Sequence, residues 1–564
     1  MHRLVSALEA VKATRSRKAK IARLAALLSE VSVEELPLTS RLVLGQILRQ
    51  GDVRTLGVGW ALLAQATASA AGTTANHVGI EARQAGDVGD AVAKLLPARG
   101  QTVALRQVES ALEAIADTAD RDEKLERLTL LLSQAAPEEA GYLARALLGE
   151  VRIGVQQGTF EEAVALAFSL PLEEVRRAAA LVVDPGDLAR LAKEGRLGEA
   201  GITPGRVIAF MLATPTEAVK EPVDPSRTIF EDKLDGVRAQ VHVVGGTVRI
   251  FARGQDEVTQ AFPEVVAALA TLPRAVVLDG EIIAVGSDGR ARPFQALQAR
   301  LGRKEPDATL RARVPVAFIA YDCLYDGQPL LSRPWTERRA RLEALGVAVN
   351  PVGRFDTARP LEAQVDDAFT AARARGNEGL VLKRVDAPYE AGRRGSAWRK
   401  VKRAFATLDV VVTRAEWGHG KRRGVLSDYT FAVWRGDRLA EIGKAFSGLT
   451  DAEIARLTTR FLELTLSRIG NQHLVRPVVV LEVAFDGLQR SSRHDSGFSL
   501  RFPRIVRIRD DKRPEDADRL ETAQALFAAQ VDSGHREEDA QGRLFDVTPT
   551  WTAGPDADKS ADHE

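Results

Sequence analysis

Residues 231–238 read EDKLDGVR: a lysine with acidic residues on both sides, a glycine three positions on and an arginine five positions on. A charged run is usually a solvated surface cluster. This one is followed by short β-branched runs bounded by Gly, Pro and Asp: AQVHVVGGTVRIFARG (239–254), AVVLDGEIIAVGSDGR (275–290), VPVAFIAYDCLYDG (314–327) and GLVLKRVD (379–386). Such runs predict strands, and Gly245–Gly246 between two apolar stretches predicts a hairpin. Charged residues gather at the strand ends in five clusters: Lys233, Arg253, Asp279-Gly280-Glu281, Glu378-Gly379, and Lys400 with Lys402 in WRKVK. One K-x-D-G-x-R match arises by chance in roughly one chain of several hundred. Five ordered clusters at strand edges are a far stronger signal.

Outward from this centre the texture changes twice. Residues 1–205 read as helical, with leucines at 125, 128 and 132 spaced by turns of a helix and PLEEVRRAAALVV opening on a proline suited to a first turn. The small and turn residues of TASAAGTTANHVGIEARQAGDVGD (67–90) predict a loop within that region. Residues 206–403 read as α+β with antiparallel strands. Residues 404–530 hold the runs LDVVVTRAEW, DYTFAVWRG and PVVVLEVAFDG with one helical insert, DAEIARLTTRFLEL. That is the strand density of a small β-barrel such as an oligonucleotide-binding fold. Residues 531–564 predict an acidic disordered tail, since HREEDAQGRLFDVTPTWTAGPDADKSADHE carries eight acidic and three basic residues.

The chain of 564 residues is long enough for several domains, and its 45% apolar and 27% charged composition is that of a globular protein. A net charge of +1 announces no nucleic-acid partner, so any basic footprint is local. The strip 490–513, with eight Arg or Lys against three acidic residues, is such a footprint. The single cysteine, Cys323, excludes a disulfide framework and a multi-cysteine zinc module within these residues. The histidines show no metal-ligand spacing. No apolar run reaches membrane-spanning length, and the first twenty residues lack a signal-peptide core, so the expectation is a soluble intracellular protein.

The clusters together resemble the covalent nucleotidyltransferases, and specifically the ATP-dependent DNA ligases of the three-domain bacterial and archaeal type. KLDGVR, FARG, LDGEII, AYDCLYDG, EGLVLKR and WRKVK are similar to that family's successive motifs. SLRFPRIVRIRDDKRPEDA (499–517) is similar to its last, and ARALLGEVRIGVQQGTFEEAVALAF to its DNA-binding region. The resemblance implies an all-α DNA-binding domain over 1–205, a nucleotidyltransferase domain over 206–403 and an OB-fold domain over 404–530. It implies the sealing of nicked double-stranded DNA through a lysyl-AMP on Lys233 and an adenylylated 5′-phosphate.

It also implies roles for other residues. Glu231 reads the adenine edge and Tyr321, often Phe in the family, stacks on the purine. Arg238 and Arg394 take ribose or phosphate contacts. Arg253, Lys400 and Lys402 offset phosphate charge, and Arg509 and Lys512 orient the leaving pyrophosphate. Glu281 and Glu378 hold Mg²⁺, with Mn²⁺ as a substitute. A monomer in the cytoplasm, associated with the nucleoid, is expected.

The chemistry suits these residue types. At an unperturbed pKa of about 10.4, roughly one lysine amine in a thousand is neutral near pH 7.4, so the nucleophile needs burial or a nearby cation. Mg²⁺ takes few carboxylates, and phosphoryl transfer depends mostly on offsetting charge. Rival readings are an RNA ligase or capping guanylyltransferase, an NAD-dependent ligase and a non-catalytic DNA-binding scaffold. The long helical region argues against the first two. The cysteine count argues against the NAD enzyme, whose family carries a four-cysteine zinc module. A scaffold would not need the whole constellation. In the tail, Gln541, Leu544 and Phe545 of QGRLF resemble the peptide by which bacterial DNA enzymes dock on the sliding clamp.

Overall fold

The computed structural model describes residues 1–532 except 51, 53, 99–101, 217–222, 287, 288, 290, 293, 302, 304, 402–405, 419–421 and 423. Helices from His2–Lys12 to Pro185–Lys193 form the first region around one apolar core that includes Val11, Leu24, Phe160 and Leu188. Side-chain caps start many of them: Ser16, Asp120 and Asp184 each accept from a backbone N–H three residues on. The stretch 67–90 corrects the expected loop. It carries the end of helix Trp60–Ala71, the whole of Ala75–Ala85 and the start of Val88–Leu95. Its turn residues are the punctuation between short helices: Gly72 and Gly86 close two of them at φ 65° and 68°, while Thr74 and Asp87 cap the next.

The central region has two sheets. One, in the order β1-β9-β8-β2-β7, is built from β1 (Leu212–Thr216), β2 (Thr228–Lys233), β7 (Val352–Arg354), β8 (Gly379–Arg384) and β9 (Arg394–Val401). The other, β4-β3-β5-β6, uses β3 (Val237–Val244), β4 (Thr247–Ala252), β5 (Val276–Ala284) and β6 (Val316–Asp326). The β3–β4 hairpin turns on Gly245 and Gly246, both at positive φ, as the Gly-Gly pair predicts. Pairing is antiparallel except for β1 with β9, which run parallel because β1 arrives from the helical region rather than by a hairpin. Val277, Leu324, Tyr389 and Trp398 form the apolar layer between the sheets.

The helical region is tied to the second sheet by a row of polar side chains on β3. Gly205 N donates to Nδ1 of His242 at 3.1 Å, Ile208 exchanges two hydrogen bonds with Gln240, and Nη1 of Arg238 donates to Met211 O at 2.7 Å. The period-two spacing of 238, 240 and 242 puts all three on one face. Burial pushes His242 down to about 3, which keeps the ring a neutral acceptor.

The third region is a seven-stranded sheet that curls into a half-barrel, made of β10 (Ala406–Trp417), β11 (Leu426–Arg435), β12 (Arg438–Ala445), β13 (Thr465–Ile469), β14 (Gln472–Val475), β15 (Val480–Phe485) and β18 (Arg504–Ile508), with a separate two-stranded sheet of β16 (Gly487–Arg490) and β17 (Phe498–Arg501). β10 pairs with β11, β14 and β15, and β15 pairs on with β18, which bends the sheet round its core. The expected insert is the helix Asp451–Glu463, started by a capping box between Thr450 and Glu453. Among the described residues no helix is long and apolar enough to cross a membrane.

One buried ion pair joins the two central sheets. Arg338 holds both carboxylate oxygens of Asp322 on β6 at 2.7 and 2.9 Å and donates to Ala387 O beyond β8. Both side chains are fully buried. Arg338→Met leaves the Asp322 charge uncompensated and should cost about 3–5 kcal/mol. A shifted denaturant midpoint in tryptophan fluorescence checks this.

Candidate active site

Strand alternation sorts the charged run that opened the sequence. On β2, Glu231 and Lys233 project to the face shared with the second sheet, and Asp232 projects to the other. There Asp232 takes two bonds from Arg375, both at 2.7 Å, and one from Asn377. Asp235 turns toward the half-barrel, where Nη1 of Arg501 reaches it at 3.2 Å. Each carboxylate of the run therefore has a different partner, and only Glu231 shares the lysine's face.

Lys233 ends β2 opposite Gly379, the first residue of β8. Glu378 grips it twice: its backbone N–H donates to Lys233 O at 2.8 Å, and its carboxylate lies 2.5 Å from Nζ. Gly379 sits at φ +151°, and a Cβ there would lie 2.5 Å from Val401 O. A side chain at that position would push β9 away from the lysine. Gly236 serves the same purpose on the other side, since its Cβ would fall 2.3 Å from Ile282 O and 2.9 Å from Cγ of Glu281. The two glycines let β5 and β9 close on Lys233.

Glu281, on β5, faces the same lysine. Burial pushes its carboxyl up to about 8, the charges of Lys233 and Arg238 oppose that rise, and Glu378 and Asp279 add to it. Two carboxylates on one ammonium leave a surplus of negative charge, which suits a divalent cation held through one or two carboxylates.

Deeper on the same face, Glu231 is 1% exposed and paired with Lys383 of β8 at 2.8 Å. Burial raises the Glu231 carboxyl and Lys383 opposes it. Lys383 is itself 1% exposed, lies 4.8 Å from the Tyr321 ring centre and 4.4 Å from that of Trp398, and donates to Tyr321 O. Oε1 of Glu231 faces Nη1 of Arg339 at 3.6 Å but accepts no hydrogen bond among the described residues. A buried acceptor of this kind calls for a donor from a ligand. Lys383 Nζ, 2.8 Å from Oε2 of the same carboxylate and 4.8 Å from the half-buried Tyr321 ring centre, links the two, so they can present an edge acceptor and a ring face to one planar base.

The other sequence-derived candidates fall in three places. Lys400 is on β9, level with Val381 and so with Glu231 across the sheet. Arg238 lies beneath the site, with Nε and Nη2 on Asp279 at 3.1 and 2.7 Å and the Phe210, Tyr321 and Trp398 rings around it. Arg253, in the turn after β4, and Arg394, first in β9, are exposed. Arg509 and Lys512 follow β18 on the half-barrel, and their ion-pair partners among the described residues all belong to it. Lys402 lies outside the described residues, as do Gln541, Leu544 and Phe545.

Sequence reasoning passed over Lys383, Asn350, whose amide donates to Asp232 O at 2.9 Å, and Arg501, and it gave Asp279 no separate role. Lys383 had a signal: in GLVLK it is a charge in an otherwise apolar strand, two residues from Val381 and so on its face. Arg501 carried none, because its partner Asp235 lies 266 positions away in the chain.

Two sheets closing on a lysine, with helices before them and a half-barrel after, define the class as a nucleotidyltransferase with accessory regions. The family description "DNA ligase N terminus" matches residues 1–165, "ATP dependent DNA ligase domain" residues 210–402 and "ATP dependent DNA ligase C terminal region" residues 422–512. The probable DNA ligase of Koribacter versatilis is 40% identical over 94% of this chain and 97% of that protein. The DNA ligase of Natronomonas pharaonis is 38% identical over 87% and 93%, and that of Methanopyrus kandleri 37% over 93% and 98%. The solved structure Pmar-Lig_PreS3 shares the fold over 90% of this chain and 99% of its own, at a TM-score of 0.55 and 16% identity. The chain belongs to the ATP-dependent DNA ligase family.

Glu231 and Lys383 should act as one unit. Lys383→Met and Glu231→Gln should each weaken ATP binding by about tenfold or more, from loss of a charged hydrogen bond. The double variant should be little worse than either single. Additive losses in equilibrium nucleotide binding would contradict the coupling.

Proposed function

We propose that this protein is an ATP-dependent DNA ligase that seals nicks in duplex DNA, with Lys233 as the nucleophile. The observation that carries the reading is the lysine amine held 2.5 Å from Glu378 and facing Glu281, with the buried Glu231 carboxylate, whose Oε1 accepts no hydrogen bond, deeper on the same face. Nζ of Lys233 attacks the α-phosphorus of ATP, forming an N–P bond as the bond to the β-phosphate oxygen breaks and pyrophosphate leaves. An oxygen of the 5′-phosphate at the nick then attacks the same phosphorus and releases the lysine. The 3′-hydroxyl finally attacks the 5′-phosphate, and AMP departs.

Glu378 and its backbone bond to Lys233 orient the amine for the first attack. Glu231 accepts from the exocyclic amine of adenine, an interaction that guanine, with an acceptor at that edge, cannot make. Tyr321 packs against the base, and Lys400 offsets phosphate charge on the same face. Glu281 and Glu378 would hold Mg²⁺, which when bound neutralises phosphate charge and favours the neutral amine.

Arg238 acts through its pair with Asp279 on the ribose and phosphate, and Lys402, two residues after Lys400 in the sequence, offsets phosphate charge with it. Arg253 and Arg394, both exposed, are available for phosphate contacts. Arg509 and Lys512 would reach the pyrophosphate end of ATP only after the half-barrel turns.

We take the domains as 1–205, 206–403 and 404–530, the last as an OB-fold, followed by a tail. The first limit falls between the helix ending at Lys193 and β1 starting at Leu212, and the second between the end of β9 at Val401 and the start of β10 at Ala406. The helical and half-barrel regions would grip the duplex mainly through its backbone, as sealing any sequence requires. The match of residues 1–165 to a ligase N terminus favours this reading over an RNA ligase or a capping enzyme.

With α-labelled ATP, wild-type protein should acquire a covalent label that survives denaturing electrophoresis, and GTP or NAD should not replace ATP. Lys233→Ala should show neither label nor nick sealing. A labelled Lys233→Ala protein would refute the assignment.

The tail supports a second contact. QGRLF offers an amide at Gln541 and two apolar side chains at Leu544 and Phe545, enough to anchor a tether in a pocket of a bacterial sliding clamp. A 537–550 peptide should bind such a clamp with Kd in the micromolar range, about −8 kcal/mol. Leu544→Ala with Phe545→Ala should remove that binding and leave sealing of free nicked DNA intact. Full binding by the double variant would end the idea.

A further inference from the structure

Two carboxylates, Asp409 of β10 and Glu482 of β15, stand directly opposite each other on the half-barrel. Like charges in that register repel unless cations sit over them. Here the cations come from the end of β18 and the turn after it. Arg507 donates to Glu482 at 2.6 Å. Arg509 places Nη1 on both oxygens of Asp409, at 2.9 and 3.0 Å, and its Nε and Nη2 on Asp511 at 2.9 and 2.8 Å. Lys512 donates to Oδ2 of Asp409 at 2.6 Å. One carboxylate thus holds two cations.

The two cations are held differently. Arg509 spends most of its five N–H groups on two carboxylates and is 12% exposed, so it cannot turn toward a phosphate without breaking several bonds. Lys512 has Asp409 as its single side-chain partner among the described residues, keeps two N–H groups uncommitted and is 31% exposed. Asp409 is anchored in turn: its N–H donates to Asp518 Oδ2 and its carbonyl accepts from Asp518 N, both at 2.8 Å. The arrangement is a rigid frame of Asp409 and Arg509 with one cation left to meet an anion.

We propose that Asp409 is a positioning residue for enzyme adenylylation: it holds Arg509 as a brace and sets Lys512 at the height from which it meets the pyrophosphate end of ATP. This rests on the ligase reading above, and it assigns the direct contact to Lys512 and a supporting part to Arg509. An ammonium on a four-carbon stem, unbraced, samples many positions, and misplacing a group that contacts the reacting phosphates slows that step. Sealing of a nick that already carries AMP forms and releases no pyrophosphate, so Asp409 has no part in it.

The test uses the full chain with Asp409→Asn, and Asp409→Ser as a second variant, beside wild type. Single-turnover adenylylation with labelled ATP and sealing of pre-adenylylated nicked DNA are measured for each. Expected is a loss of about tenfold or more in the single-turnover adenylylation rate at saturating ATP, with sealing of adenylylated DNA within about twofold of wild type. Retained sealing also reports that the variants fold. Asp409→Glu, which keeps the charge, should recover part of the loss. Unchanged or faster adenylylation in the Asn and Ser variants, or equal losses in both steps, overturns the proposal. A wild-type protein that takes no label from ATP would overturn the ligase reading itself, a result distinguishable from either.

Discussion

The site depends on the pairing of β2 with β8. Lys233 and Gly379 are opposite residues, and Glu378, one position before, bonds both the carbonyl and the amine of the lysine. This double grip fixes where the nucleophile points before any nucleotide arrives, which lowers the ordering required at the moment of reaction. The same register puts Glu231 level with Val381 and Lys400, so Glu231, Lys233 and Lys400 share one face. A slip by one residue would send Glu231 and Lys233 to the apolar side, among Phe355, Leu382 and Val401.

Charge on that face is arranged in depth. At the bottom, Glu231 and Lys383 neutralise each other between aromatic rings, which is tolerable because both are paired. Nearer the opening, Glu281 and Glu378 share the single ammonium, and burial, with a smaller push from Glu378, raises the Glu281 carboxyl. A closed ion pair suits recognition of a neutral base, and an unbalanced one suits a cation and a phosphate chain. The contrast separates the two ends of the nucleotide.

The half-barrel meets the catalytic region through Arg501 and Asp235, two residues from the nucleophile, while Arg509 and Lys512 are occupied by Asp409. The barrel therefore presents one basic surface to the lysine loop and keeps another on its own carboxylate. Arg509 is bound there through several bonds to Asp409 and Asp511, whereas Lys512, 31% exposed, is held by Asp409 alone among side chains of the described residues. The row on β3 is the opposite kind of contact: buried, neutral at His242 and fully bonded, it holds the helical region's exit strand firmly in place.

From its own residues the chain declared its strand runs, the Gly245–Gly246 hairpin, the insert helix Asp451–Glu463 and the carboxylates and lysines that line the site. These are local properties, set by period-two alternation, turn chemistry and capping within a few residues. The stretch 67–90 shows the limit of such reading, because Gly and Thr that end and start short helices look the same in sequence as those of a loop. Tertiary structure alone decided that Arg238 spends its guanidinium on Asp279, that Lys383 guards Glu231 and that Asp409 gathers Arg509 and Lys512. Each of these pairs joins strands or turns far apart in the chain. Which charges meet is set by sheet order and by the exclusion of water, and neither is a property of any short segment.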